Sequence, residues 1–531
     1  MKYAGLAAVV GCHLATRLVG LLALPIFNDE AIYLRMAQLV RQGHGLVSLS
    51  HESLKPLFVW LLALCWPLAD DPLVMGRLVA IACGAATVAV IYLTLYRWGG
   101  KGPALLAGAF YVLLPMALFH DKMALYEPLL TLLSAVSLAA AWSLVETRTW
   151  KAVVVFGLAA GLGLATKEFA LFFLLYPLAG VVARWRARQP VGKGLWSRVG
   201  VAWLLAGVIW LALVFIPSLT TAHGILHGQV GKYAFSAAEL AAFPFDKWAA
   251  NLVFTSDALG RYLGPLFALG LLASAVWSLW RRRENALFVA LCWAGPLVAL
   301  LLVGRTLFSR YFLFLVPAMV AAVALAVWAV AQASAKDRGQ RGWWILAALT
   351  AAILVFPASL AWKVTFQPHA APLPSGDREQ HLDGWAAGSP WPSVKTYLEQ
   401  AAATEPIAVF VAPVPGLYHD VLKLYVEGPR VQVWPVPWVL EKSLTAFTSG
   451  DQTTRLPTSI YLRDLPLREA DPADWRRAFF LINVPQLRLE PFMRLNPNAK
   501  LAHVSRHAQG KAFVALMELP VREPEASSSE P

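Results

Sequence analysis

The 531-residue sequence predicts a polytopic α-helical membrane protein, with about 11–13 transmembrane helices followed by a C-terminal extracytoplasmic α/β domain. Three observations carry that prediction. Hydrophobic residues make up 58% of the chain and charged residues 15%, a balance foreign to a soluble protein of this length. The apolar residues gather in runs of roughly 20, the length that crosses a bilayer. Basic residues concentrate in alternate loops between those runs, so the net charge of +13 is a signature of membrane orientation and implies no nucleic-acid partner.

Candidate spans lie at 4–27, 73–96, 103–119, 127–145, 151–165, 169–183, 199–217, 258–280, 285–303, 311–333 and 342–361, about eleven in all. With the N-terminus in the cytoplasm, the cytoplasmic loops contain Arg97 and Lys101; Arg148 and Lys151; Arg184, Arg186, Arg188, Lys193 and Arg198; Arg281, Arg282 and Arg283; and Lys336, Arg338 and Arg341. Five loops obey the positive-inside rule together. Pro56–Leu68 is apolar but short, and as a full span it would invert every later loop. It therefore reads as an interfacial or re-entrant helix on the outer side. Cys12, Cys65, Cys83 and Cys292 sit in apolar runs with no Cys-x-x-Cys spacing, so neither a disulfide framework nor a cysteine metal site is expected. The first apolar stretch has no small-residue cleavage pattern and reads as a retained helix.

The outer loops hold a different chemistry. Asn28-Asp29-Glu30 follows the first span, and an acidic pair at a membrane edge is costly enough to be a functional candidate. A structural alternative is a helix beginning near Ala31 and capped by Asn28 or Asp29. The same face collects His51, Glu52, Lys55, Asp121, Lys122, Glu127, Lys167, Glu168, Arg305 and Arg310, and a longer outer loop at about 218–257 adds His223, His227, Lys232 and Asp246. Cations of this kind suit an anionic head group, and carboxylates suit proton transfer. Arg17 lies one turn after His13 in the first span and reads as a buried helix partner. Arg77 reads as snorkelling or pairing locally.

Composition changes after Trp362. Residues 363–390 are rich in Pro, Gly, Asp and Ser and read as irregular. Beyond them, Ser393–Ala403 and Leu417–Val426 read as helices. Ile407–Val411, Val431–Val436, Ser459–Arg463, Phe479–Val484, Lys500–Arg506 and Phe513–Leu519 read as strands, the last two a hairpin around Ala508-Gln509-Gly510. The predicted division is thus a membrane domain at 1–362, an outer α/β domain at 363–522 and a Ser/Glu/Pro-rich disordered tail at 523–531. No GxGxxG follows a strand, so a lid or docking role is expected for the outer domain.

An ordered set of short motifs now stands out. It comprises Asp29-Glu30 after the first span, Lys55-Pro56-Leu57, His120-Asp121 with Tyr126-Glu127-Pro128, Thr166-Lys167-Glu168, and Ser309-Arg310-Tyr311 with Pro317. This set resembles the C-type membrane glycosyltransferases, in the branch holding the protein O-mannosyltransferases and the lipid A aminoarabinose transferase. Asp383-Gly384-Trp385 followed by Gly388 resembles the start of the outer domain in bacterial members. Leu57 and Glu168 depart from the family's usual Lys-Pro-Pro and Thr-Lys-Gly, which bears on the donor head group more than on the reaction class.

The resemblance implies a polyprenyl-phosphate sugar donor, an acceptor that is a protein, lipid or glycan, and inverting transfer on the extracytoplasmic face of a bacterial cytoplasmic membrane. Lys55 and Arg310 are the first candidates for the phosphate, with Tyr311 and Lys167 beside them. Asp29 is the candidate general base, and Glu30 a group to orient the acceptor or a metal. Glu52, Asp121, Glu127, Glu168, His223 and His227 complete the candidate site residues. The reaction class admits a divalent metal, and the sequence requires none. Taken alone, Arg310 also fits a helix-end snorkel and Lys55 an interface anchor. The alternative function is a secondary transporter or flippase for a lipid-linked or anionic substrate. It would call for Gly/Pro-broken helices in matching halves and acids at mid-bilayer.

Overall fold

The computed structural model describes residues 2–43, 55–215, 233–338, 340–411, 417–435, 475–484, 489–495, 497–507 and 513–519. Outside them lie His51, Glu52, His223, His227, Lys232, the expected strand Ser459–Arg463, the hairpin turn at Ala508-Gln509-Gly510 and the tail 523–531. The chain forms two compact units: Met1–Ala23 with Glu52–Pro374, and Leu24–His51 with Ser375–Pro531. The partition differs from a boundary drawn at residue 362. Helix Gln340–Phe366 runs past that point and stops just before Pro368, whose ring disfavours helical backbone at Gln367.

The first unit is helical. Among the described residues, seven helices are long and apolar enough to span a membrane, and an eighth arises if the bent pair Phe245–Leu263 and Pro265–Arg281 counts as one. Pro56–Leu68, Lys101–Leu113 and Trp150–Leu164 are shorter apolar helices. Lipid is as apolar as a leucine side chain, so helices in it associate through close packing of small residues. Gly157 and Gly161, spaced as small-xxx-small, do this against helix Leu195–Trp210. A Cβ at Gly157 would lie 2.9 Å from the Ala202 carbonyl, and one at Gly161 3.0 Å from that of Ala206. Elsewhere large rings fill the interior: buried Trp142 packs against Trp98 and Phe288 with centroids 5.7 and 5.2 Å apart.

Three expected spans are interrupted, each for a local reason. The run 258–280 breaks at Gly264–Pro265 with a bend of 108°. Gly264 has φ +76°, open to glycine at no steric cost, and Pro265 has no N–H to continue the ladder. The run 103–119 breaks at Leu114, where Pro115 starts the separate helix Pro115–His120. The first helix, Lys2–Leu18, gives way to turns from Val19 onward.

Breaks inside a membrane unit free backbone carbonyls that need donors. Three buried cations supply them. The Lys122 ammonium donates to the Val19 carbonyl at 2.8 Å, and Arg77 to that of Leu21 at 2.8 Å. Arg17 donates to the carbonyls of Tyr111 and Val112, just before the break at Leu114. Arg17 is thus the buried partner expected of it, whereas Arg77 is fully buried and does not snorkel.

In the second unit, Ile407–Val411 (β1), Val431–Pro435 (β2), Arg477–Val484 (β3), Lys500–Arg506 (β4) and Phe513–Leu519 (β5) form one sheet in the order β2-β1-β3-β5-β4. β1 runs parallel to both neighbours, and β3-β5-β4 is antiparallel. All five residues of β1 are buried, as befits a central parallel strand covered on both faces. Phe410, Phe480, Phe492 and Met517 build the core on one side, with Phe480 and Phe492 stacked at 4.8 Å. Edge strand β4 carries Lys500 and Arg506 at its ends, which discourages pairing with another chain. The bounds of β4 and β5 match the expected hairpin strands.

Candidate functional site

A charged cluster inside the first unit gathers six of the expected site residues. Pro56 opens helix Pro56–Cys65 at a position where its missing N–H costs nothing, leaving Lys55 just ahead of the helix. The Leu57 N–H donates to the Ala165 carbonyl at 3.4 Å, tying Lys55 to the turn that carries Lys167 and Glu168. That turn is tight: the N–H groups of Thr166 and Lys167 both donate to the Gly163 carbonyl, at 2.9 and 2.8 Å. Glu127 sits in the first turn of helix Tyr126–Thr147, and Arg310 and Tyr311 open the 3₁₀ segment Ser309–Leu315.

Glu127 is the centre of this cluster. Its side chain is 3% exposed, and its carboxylate accepts from the Lys167 ammonium while Arg310 Nε lies 3.7 Å away. Lys55 pairs with Glu168 at 3.0 Å on the outer side. Aromatic rings hold the cations in place. The Lys167 ammonium is 4.2 Å from the Tyr311 centroid and 5.4 Å from that of Phe169, and the Arg310 guanidinium is 4.7 Å from Phe308. Burial pulls Lys167 down to about 8 against the pull of Glu127, and Lys55 and Arg310 add to the lowering. Among the described residues, three basic side chains meet two carboxylates here, so the cluster suits an anion.

The remaining candidates lie elsewhere. Asp121 belongs to a separate buried knot in the same unit, 3.5 Å from Arg17 Nη2 and accepting from the Tyr111 hydroxyl at 3.3 Å. Gly84 makes room for it, since a Cβ there would meet the Asp121 carboxyl at 2.8 Å. Asp29 and Glu30 belong to the second unit, in helix Asn28–Arg41. The helix starts at Asn28 and not near Ala31. Phe27 is the N-cap, and its N–H donates to the Glu30 carboxylate at 3.0 Å. A phenyl ring cannot accept a bond, so this reciprocal carboxylate contact is the cap. Asn28 accepts from the Leu417 N–H at 2.6 Å and donates to Asp29 at 3.1 Å. Ile26–Asn28 pairs with Ala386–Gly388 through the bonds Asn28 N–H to Ala386 (2.9 Å) and Gly388 N–H to Ile26 (2.8 Å). Gly388 permits that approach, because a Cβ there would lie 2.6 Å from the Ile26 carbonyl. Glu30 is fully buried, whereas Asp29 keeps partial exposure.

Sequence reading did not find the shared role of Glu127, the Lys55–Glu168 pair or the rings of Phe169 and Phe308. The aromatic flanks Lys167-Glu168-Phe169 and Phe308-Ser309-Arg310 were the available signal. Among the described residues, no group of three or more His, Cys, Asp or Glu side chains is placed to hold a metal ion.

Comparison with known proteins bears on the fold. Residues 53–219 match the family model for dolichyl-phosphate-mannose-protein mannosyltransferase. No curated protein sequence matches the chain. The fold resembles that of ArnT from Cupriavidus metallidurans in the apo state, at 16% identity, TM-score 0.60 and 97% coverage of each chain. It also resembles the same protein bound to undecaprenyl phosphate, at 14% identity, TM-score 0.58 and coverage of 98% of this chain and 99% of that one. The Archaeoglobus fulgidus oligosaccharyltransferase in its apo form is similar at 12% identity and TM-score 0.50, over 82% of this chain and 65% of that one. Residues 53–219 therefore match the mannosyltransferase family pattern, within a chain that has seven or eight candidate membrane spans among its described residues and whose fold is similar over nearly its whole length to that of ArnT.

Proposed function

We propose that this protein transfers a sugar from a polyprenyl-phosphate carrier to a membrane-bound or secreted acceptor on the extracytoplasmic face of a bacterial cytoplasmic membrane, with inversion. The observation that carries the reading is the cluster of Lys55, Lys167 and Arg310 with Glu127 and Glu168. Its basic side chains suit the negative charge of a phosphodiester. The surrounding rings keep water away, which strengthens each charge-assisted hydrogen bond. In the reaction the acceptor hydroxyl attacks the anomeric carbon, the carbon–oxygen bond to phosphate breaks, and the phosphate leaves with the electron pair. Cations at that phosphate stabilise the charge that develops on it.

The acceptor proton needs a base. Asp29 is proposed for it, because Glu30 is committed to the Phe27 N–H while the Asp29 carboxylate keeps partial exposure. The outer orientation rests on the alternation of basic loops. The broken helix at Gly264–Pro265 is one feature a transporter would share. The family match over 53–219 favours transfer chemistry instead. The test of the phosphate site is binding of undecaprenyl phosphate to Lys55→Ala and Arg310→Ala. Each substitution removes a contact of about 1.5–3 kcal/mol and should weaken binding at least tenfold. Unchanged affinity in both variants places the phosphate elsewhere.

A further inference from the structure

The two carboxylates of the cation cluster are not equivalent. Glu127 is 3% exposed and serves both Lys167 and Arg310. Glu168 is 66% exposed and its ion pair is with Lys55, at 3.0 Å, with Lys55 itself 13% exposed. Glu127 is therefore a fixed counter-ion beneath the cations. Glu168 is a negative charge at the exposed edge of the cluster, beside Lys55. We propose that Glu168 shifts the selectivity of this site toward a phosphodiester and away from a phosphomonoester, so that the lipid monophosphate product is held less tightly than the cations alone would hold it. This deepens the reading of the cluster as the donor-phosphate site and rests on it.

The two ligands differ in charge. A sugar linked through phosphate to a lipid carries one negative charge at any ordinary pH. The lipid monophosphate left after transfer loses a second proton near pH 6, so it approaches two negative charges at pH 8. A carboxylate at fixed distance repels a dianion with twice the energy it applies to a monoanion. Glu168 is well exposed, and removing such a charge changes affinity by roughly threefold for a monoanion. The doubled energy squares that factor, to about ninefold for the dianion. Glu127, Lys167, Arg310, Lys55 and the Tyr311 ring are unchanged in Glu168→Gln, so the change in selectivity on that substitution reports Glu168.

The test uses the full chain in detergent micelles. Equilibrium binding of undecaprenyl phosphate and of its non-reactive methyl diester is measured at pH 8 and pH 5, in the wild type, Glu168→Gln and Lys55→Ala. At pH 8, Glu168→Gln should tighten the monoester about ninefold and the diester about threefold, shifting selectivity roughly threefold toward the monoester. At pH 5 the monoester is a monoanion, and both ligands should tighten alike. Lys55→Ala should weaken both ligands. Equal changes for the two ligands at pH 8, or no change in Glu168→Gln while Lys55→Ala loses affinity, overturns the role of Glu168 and leaves the phosphate site standing. Wild-type affinity in Lys55→Ala overturns the site itself.

Discussion

Glu127→Gln is the sharpest test of how the charged cluster is held together. The substitution keeps the shape of the side chain and removes one negative charge that is 3% exposed. Two cations then lose their shared partner: Lys167, which is 8% exposed, and Arg310, which is 9% exposed and 3.7 Å away. Breaking a buried pair by deleting one partner costs about 3–5 kcal/mol, because the remaining charge stays desolvated. At least about 3 kcal/mol of stability should therefore be lost. Unfolding in mixed detergent micelles, followed by tryptophan fluorescence, reads this loss. A bound phosphate supplies the missing anion, so undecaprenyl phosphate should stabilise the Gln variant more than the wild type. In the double variant Glu127→Gln/Lys167→Met, removing one stranded cation should recover part of the loss. A Gln variant within 1 kcal/mol of wild type would refute the view that Glu127 is the structural counter-ion of the site.

Other outcomes follow from the same physics. Asp29→Asn should lower turnover by roughly 100-fold or more with folding intact, and Glu30→Gln should act on stability through the Phe27 cap; full activity in Asp29→Asn removes it as the base. Lys122→Met should cost about 1–3 kcal/mol by leaving the Val19 carbonyl without its donor, and an unchanged unfolding curve would show that another group satisfies that carbonyl. Reporter fusions in the loop 184–198 and at the C-terminus should give opposite signals if the basic loops set the orientation, and matching signals contradict it.

Much of the architecture was legible in the residues themselves. Apolar length reveals candidate spans because the bilayer imposes it, one residue run at a time. Alternation and turn chemistry located Lys500–Arg506 and Phe513–Leu519 to the residue, since a strand is also a local pattern. The breaks at Leu114–Pro115 and Gly264–Pro265 carried a local signal too, but continuous hydrophobicity hid it. What the tertiary structure alone decided is pairing. Lys55 meets Glu168 across 113 positions, Glu127 meets Lys167 across 40, and Arg17 finds Asp121 across 104. Such partners are chosen by how helices pack, and no periodicity records it. The same holds for segment 24–43. Its sequence position suggests a neighbour of the first span, yet backbone bonds between Ile26–Asn28 and Ala386–Gly388 group it with the sheet-bearing unit. Residue chemistry announced that cations and carboxylates would matter here, and packing determined which carboxylate is a buried counter-ion and which remains at the edge.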